Sequence, residues 1–168
     1  PPVILFVDGS SLTGNEYVKL SRQLSPFPES EIVRWDWSGT NIRKESQGID
    51  KETDSIQHRV IQELKNRNYD VIFDDDDSGE AADVVTIRIK SDVIEVAFYH
   101  CKYSSEDKPG TRIKDLYEVC GQAQKSIHWM EHQTELFDHM LRREPRKRSG
   151  DESSRFEVGD KRKLVEVK

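Results

Sequence analysis

The sequence predicts an α/β fold, a mixed β-sheet flanked by helices, and three observations lead there. Short apolar runs, "VILFV", "YDVIF" and "VIEVAFYH", have the length and β-branched and aromatic content of buried strands. Ile56, Val60, Ile61 and Leu64 form one apolar stripe at helical spacing just before the second of these runs. A long helical pattern then follows the strands, so the central order is helix, strand, strand, strand, helix, with extra strands at either end. At 168 residues the chain has the length of about one domain and can bury a sizeable core.

The elements follow in order. Residues 3–7 read as a strand closed by the turn signal "DGSS", and "EIVRWDW" alternates as a second strand after "LSPFPES". Residues 38–50 read as loop. A helix is expected from an N-cap at Thr53 or Asp54 to Asn66–Asn68. "YDVIF" is the next strand, "FDDDDSGE" a turn in which Asp74 to Asp77 are solvated, and "ADVVTIRIK" and "DVIEVAFYHCK" two further strands. Residues 111–143 carry a helical pattern with Ile113, Leu116, Cys120, Ala123 and Ile127 on one side and a break near Gly121 or His128. "EPRKRSGDESSR" reads as a polar linker and "FEVGDKRKLVEV" as a last strand. The domain reading is residues 1–52 as N-terminal strands and loops joined to the core, 53–143 as the core, and 144–168 as linker and strand leading onward. The chain starts "PPVILF" without Met and ends on "RKLVEVK", as a piece of a larger polypeptide would.

Composition narrows the setting. Charged residues make up 35% and hydrophobic ones 34%, the signature of a soluble globular domain. A net charge of −6 argues against non-specific coating of nucleic acid, though a local basic groove can coexist with it. Two cysteines argue against a disulfide scaffold and make a reducing cytoplasm the expected location. No apolar segment reaches the ~18 residues of a membrane span, so no membrane partner is expected.

The sheet register singles out a site. A two-residue turn at Ser91 and Asp92 places Asp83 opposite His100, with Lys102 one step further on the same face. Period-2 alternation puts Val85, Ile87, Val96 and Phe98 on that face too, so an apolar surface ends in Asp, His and Lys. Charged groups on a core face are costly unless they bind something. A hard cation such as Mg²⁺, held by the Asp83 carboxylate, a neighbouring backbone carbonyl and phosphate oxygens, fits this pattern and suggests phosphodiester hydrolysis, with Lys102 positioning water or neutralising charge on phosphorus. Glu80 and Asp74 are candidate supporting groups.

"GEAADVV" followed by "IEVAFYHCK", after the helix "SIQHRVIQELKNRNYDV", resembles the PD-(D/E)XK, or restriction-endonuclease-like, nuclease superfamily, and is similar to nuclease domains of bacterial helicase-like and phage-defence proteins. The resemblance spans roughly residues 53–128. It implies a three-layer α/β/α arrangement around a central mixed β-sheet and a metal-dependent nuclease acting on DNA, with RNA compatible with the same residues. It also implies other domains in the same polypeptide, a helicase-like one among them. By it Asp83 is the motif aspartate and Lys102 the motif lysine. Gln124 and Lys125 are the second-helix residues turned toward nucleic acid, and Gln57 stands where related first helices carry Glu. His100 stands where the superfamily has Glu or Asp. Imidazole is a poor Mg²⁺ ligand but suits Mn²⁺, so His100 serves as ligand or base.

A rival reading is a catalytically weak or inactive module of the same fold that binds nucleic acid or protein, favoured by His100 in place of the acid. Other features carry less. "ILFVDGSS" resembles the first strand of NYN or PIN-like nucleases, but no second strand followed by Asp stands in βαβ order, and Asp8 reads as a turn residue. His128 and His132 with Cys101 and Cys120 lack zinc spacing. "RREPRKR" reads as a solvated linker, and Trp35 and Trp37 as packing residues on one strand face.

Overall fold

The computed structural model describes residues 3–6, 10–19, 28–148 and 150–168; Asp8 and its turn lie outside them. The chain divides into two compact units, Pro1–Asp36 and Trp37–Lys168. The division falls sixteen residues before the boundary read from the sequence, because residues 37–52 hydrogen-bond into the larger unit: Asn41 N–H donates to Asp54 O at 2.7 Å, and Ile56 N–H to Lys44 O at 2.9 Å.

In the first unit β1 (Val3–Leu5), β2 (Ser11–Thr13) and β3 (Glu16–Val18) form a three-stranded antiparallel meander. Its first strand is exposed, against the expectation of a buried one. The strand expected over "EIVRWDW" is absent: Glu29–Glu31 is a 3-10 turn and residues 32–37 have no regular pairing.

The second unit is built on a four-stranded sheet in the order β6-β5-β4-β9, from β4 (Val71–Asp74), β5 (Val84–Ile89), β6 (Ile94–Tyr99) and β9 (Phe156–Val158). Every pairing is antiparallel, which corrects the mixed sheet expected. The physical reason is that β9 returns after the helices in the opposite direction to β4 and pairs with it across a bulge at Ile72/Phe73. The β5–β6 hairpin has the register read from the sequence, with Val84 opposite Tyr99 and Ile89 opposite Ile94, and Lys90 N–H donating to Val93 O across the two-residue turn.

Alternation then sorts the core. Val71, Phe73, Val85 and Ile87 face α3 (Gln133–Arg143) and α4 (Lys161–Val167), which contribute Leu136, Phe137, Met140, Leu164 and Val167. Ile72, Asp74, Val84 and Thr86 face the other way, toward α1 (Ile56–Lys65), whose buried stripe is Ile56, Gln57, Val60, Ile61 and Leu64. Helices therefore cover both faces. Ser55 caps α1 by accepting from His58 N–H at 3.1 Å, one to two residues later than expected. The long helical pattern divides at His132 into α2 (Ile113–Glu131) and α3.

The C-terminal stretch is not a linker. β7 (Arg146–Arg148) and β8 (Asp151–Ser153) form a hairpin, β9 joins the main sheet, and the "KRKLVEV" read as strand is α4, capped by Asp160 accepting from Lys163 N–H at 2.8 Å. Leu164 and Val167, three apart, bury a helical and not a strand face. Between β9 and α4 the chain passes so close to β4 that a Cβ on Gly159 would lie 2.5 Å from Asp70 O, at φ +77°, so only glycine fits.

Candidate metal centre

The turn from β4 to β5 holds two sets of carboxylates. Asp74 and Asp75 are fully buried, which corrects their reading as solvated turn residues. Arg146 grips Asp74 with two bonds, Nη1 to Oδ2 at 3.0 Å and Nη2 to Oδ1 at 2.9 Å, while Gln47 and Gln57 donate to the same carboxylate at 2.8 and 3.0 Å. Asp75 meets Arg143 Nε at 2.5 Å and His139 Nε2 at 3.0 Å. Arg155 donates to the backbone oxygens of Asp74 and Asp76 at 3.0 and 2.8 Å. The "RREPRKR" run and Arg155 thus clamp the turn instead of lying in solvent. A buried carboxylate has to be paired, and these are.

Asp76, Glu80 and Asp83 are different. One carboxylate oxygen from each lies within 4.8 Å of the others. Burial pushes the Asp76 carboxyl above its ordinary range despite a hydrogen bond from Ser46, and Asp74 and Asp83 add to the rise. Burial likewise pushes Glu80 up against the pull of the Asp77 N–H, and the charges of Asp83, Asp76 and Asp75 act in the same direction. Three mutually repelling acids of this kind offer the charge and the oxygen donors that could hold a cation.

Asp83 is held by Cys101 N–H, which donates to Oδ2 at 2.9 Å, so the strand register fixes it. His100 Nδ1 lies 3.5 Å from the same Oδ2 and is buried with no hydrogen-bond partner. Its Nε2 is 2.8 Å from Ser126 Oγ on α2, and Ser126 in turn donates to Ala81 O at 2.6 Å. Because the Ser126 hydroxyl proton goes to Ala81, its oxygen accepts from His100 Nε2–H, and Nδ1, on the other side of the ring, faces the Asp83 carboxylate. A ring nitrogen and a carboxylate oxygen at this distance are held together by a positive charge between them, a proton or a bound cation, and two ligands of one ion at about 2.0–2.2 Å each span a comparable distance. The cavity beside them, about 490 Å³, is lined by Asp76, Asp77, Glu80, His100, Gln122 and Lys125.

The residues read from the sequence are partly gathered here. Asp83 and His100 meet as the register requires. Gln57 is buried in α1, donating to Asp74 Oδ1 and to Asp83 O at 3.1 Å while accepting from Gln47 N–H at 2.8 Å, so it ties the two acid sets together. Lys125 reaches the cavity, but Gln124 is exposed on α2. Gln122 and Ser126, four residues apart, take the inward face, and Gln124 lies about half a turn away from them.

Lys102 is elsewhere. Strand β6 ends at Tyr99, so alternation no longer carries Lys102 onto the His100 face. Its Nζ lies 3.0 Å from Glu118 and 3.3 Å from Glu45, and it lines a separate cavity with Trp37 and Tyr103. Burial opposes its charge, but Glu118 and Glu45 outweigh this and raise its pKa. Asp76 and Ser126 escaped the sequence reading, the first inside a run that looked like turn, the second as a small residue among larger polar ones. The spacing of Gln122 and Ser126 was the available signal. Among the described residues no cysteine joins His128 and His132, whose rings stack at 4.2 Å; Cys101 is buried and Cys120 exposed.

No family model and no solved structure matches the chain. A stretch of 46 residues is 41% identical to dedicator of cytokinesis protein 6 of Mus musculus, covering 27% of this chain and 2% of that protein. The chain spans a small part of that relative's length. Among the described residues no helix is long and apolar enough to cross a membrane.

Proposed function

We propose that the cluster of Asp76, Glu80, Asp83 and His100 binds a divalent cation, Mg²⁺ or Mn²⁺, and that the protein hydrolyses phosphodiester bonds of nucleic acid, DNA before RNA. What carries the reading is the buried Nδ1 of His100, without a hydrogen-bond partner, facing Asp83 Oδ2 at 3.5 Å beside two further carboxylates. A cation bound there would supply charge neutralisation at phosphorus and a nucleophile at neutral pH. The chain's own groups do the rest. The three carboxylates and Nδ1 provide a mixed oxygen and nitrogen donor set, which favours Mn²⁺ over Mg²⁺ relative to an all-oxygen site. Ser126 holds the His100 tautomer through Nε2. Lys125, which lines the cavity, would neutralise a non-bridging phosphate oxygen as water adds to phosphorus and the ester oxygen leaves as an alcohol. Lys102, held between two glutamates, is left a structural part.

The resemblance to the PD-(D/E)XK superfamily in "GEAADVV" and "FYHCK" supports the same reading and extends it to a nuclease module working with other domains, a helicase-like one among them. The test is cleavage of supercoiled plasmid and single-stranded DNA with Mg²⁺ or Mn²⁺. Asp83→Ala abolishes cleavage, Lys125→Ala reduces it, and Lys102→Ala leaves most of it. A wild-type protein with neither cleavage nor Asp83-dependent metal binding sinks the proposal and leaves the non-catalytic binding module.

A further inference from the structure

Helix α2 has two faces with different fates. Arg112, Asp115, Val119, Gln122, Ser126 and Trp129 are half-buried or buried, Ser126 bonding to His100 and Ala81 and Trp129 packing against the core. One residue further round, about 100° on the helix, Ile113, Leu116, Cys120, Ala123, Ile127 and Met130 form a strict seam of alternating three- and four-residue steps. This is the heptad pattern of a helix that pairs with another helix. All six are exposed, and Tyr117 beside them is exposed as well.

The five large side chains on this face, 48–72% exposed, present on the order of 600 Å² of mostly apolar surface, at the top of what a monomer leaves open and near the ~800 Å² per partner of a standard interface.

We propose that this seam is a homodimer interface, in which α2 of a second copy of the chain lies antiparallel along it. The inference stands apart from the nuclease reading. Reversed, the seam maps onto itself: Ile113 meets the second copy's Met130, Leu116 its Ile127, and Cys120 its Ala123. That match is what a two-fold interface demands, since one patch must complement itself. Antiparallel pairing gives layers of even volume, whereas parallel pairing would leave a layer of two alanines, and opposed helix dipoles favour it further.

Of the flanking positions, Tyr117 and Gln124 on one side and Val119 and Ser126 on the other carry no charge, and the charged ones at the ends, Glu131 and Arg112, come level as opposite charges in the antiparallel register, so identical helices meet without like-charge repulsion. Small residues at the centre, Cys120 and Ala123, let the axes approach. Because α2 is already held as a helix on the sheet, pairing has little ordering to offset.

Sedimentation equilibrium of the full chain over a wide concentration range tests this. A dimer is expected, converted to monomer by Leu116→Glu or Ile127→Glu with an unchanged far-UV circular dichroism spectrum. Cys120, the exposed thiol, is expected to cross-link between copies with a short bis-maleimide. Ile113→Cys in a Cys120→Ser background is expected not to, because the two copies of position 113 lie at opposite ends. A monomer at every concentration, a dimer indifferent to both glutamates, or ready cross-linking through position 113 each overturns the proposal. So does a Cys120 thiol shielded from reagent in a monomer, which would mean that the chain covers its own seam.

Discussion

Asp74 and Asp75 on one side of the β4–β5 turn, and Asp76, Glu80 and Asp83 on the other, make the informative comparison in this molecule. The first pair is buried more deeply, yet each carboxylate is matched by a guanidinium and further donors. The second set is less buried as a group; its guanidinium neighbour Arg146, 3.7 Å from Asp76, is already committed to Asp74, and another basic group beside it is the His100 imidazole, 3.5 Å from Asp83. Burial alone does not identify a functional acid. What distinguishes the second set is carboxylates that have no guanidinium of their own.

Four experiments break or sharpen that contrast. Arg146→Met should have the largest effect: it strands Asp74 without its fork, and chemical denaturation should show a loss of about 3–5 kcal/mol, the cost of breaking a buried pair. Acid should act through Glu157 next. Burial alone would raise this carboxyl, but Lys51, Lys65 and Gln47 override it and depress the pKa from 4.5 to about 2. The folded value lies below the unfolded one, so the contribution is complete above about pH 4.5 and is lost as pH falls toward about 2. Its size is on the order of 3 kcal/mol. Glu157→Gln should flatten the stability-against-pH curve in that window and nowhere above it.

Asp83→Asn belongs to the other set. Cleavage should fall at least about 100-fold, some 2.7 kcal/mol of barrier, and the rise in melting temperature on adding Mn²⁺ should vanish with it. If that variant instead unfolds like Arg146→Met, the two sets are not different in kind. The smallest change is Ser126→Ala, which frees the His100 ring. Mn²⁺ affinity, read by titration calorimetry, should weaken by roughly 10–100-fold, the usual cost of losing a group that orients a metal ligand. Ser126→Thr should restore most of it.

The sequence by itself determined the local pieces. The α1 stripe, the β5–β6 register and the pairing of Asp83 with His100 were legible because helix and strand periodicity and a two-residue turn are decided by neighbours in the chain. The α2 seam was equally legible as a stripe, though not that it faces outward. Tertiary structure decided the rest. The role of Asp74 and Asp75 depends on arginines some seventy residues away, which no local pattern connects to them. Lys102 was misplaced because alternation holds only while the strand continues, and β6 stops at Tyr99. The direction of β9, and with it the antiparallel sheet, was fixed by where the chain returns after α2 and α3. Which acids went unpaired could be known only once every arginine had found its partner, since compensation of charge is a property of the packed molecule and not of the chain.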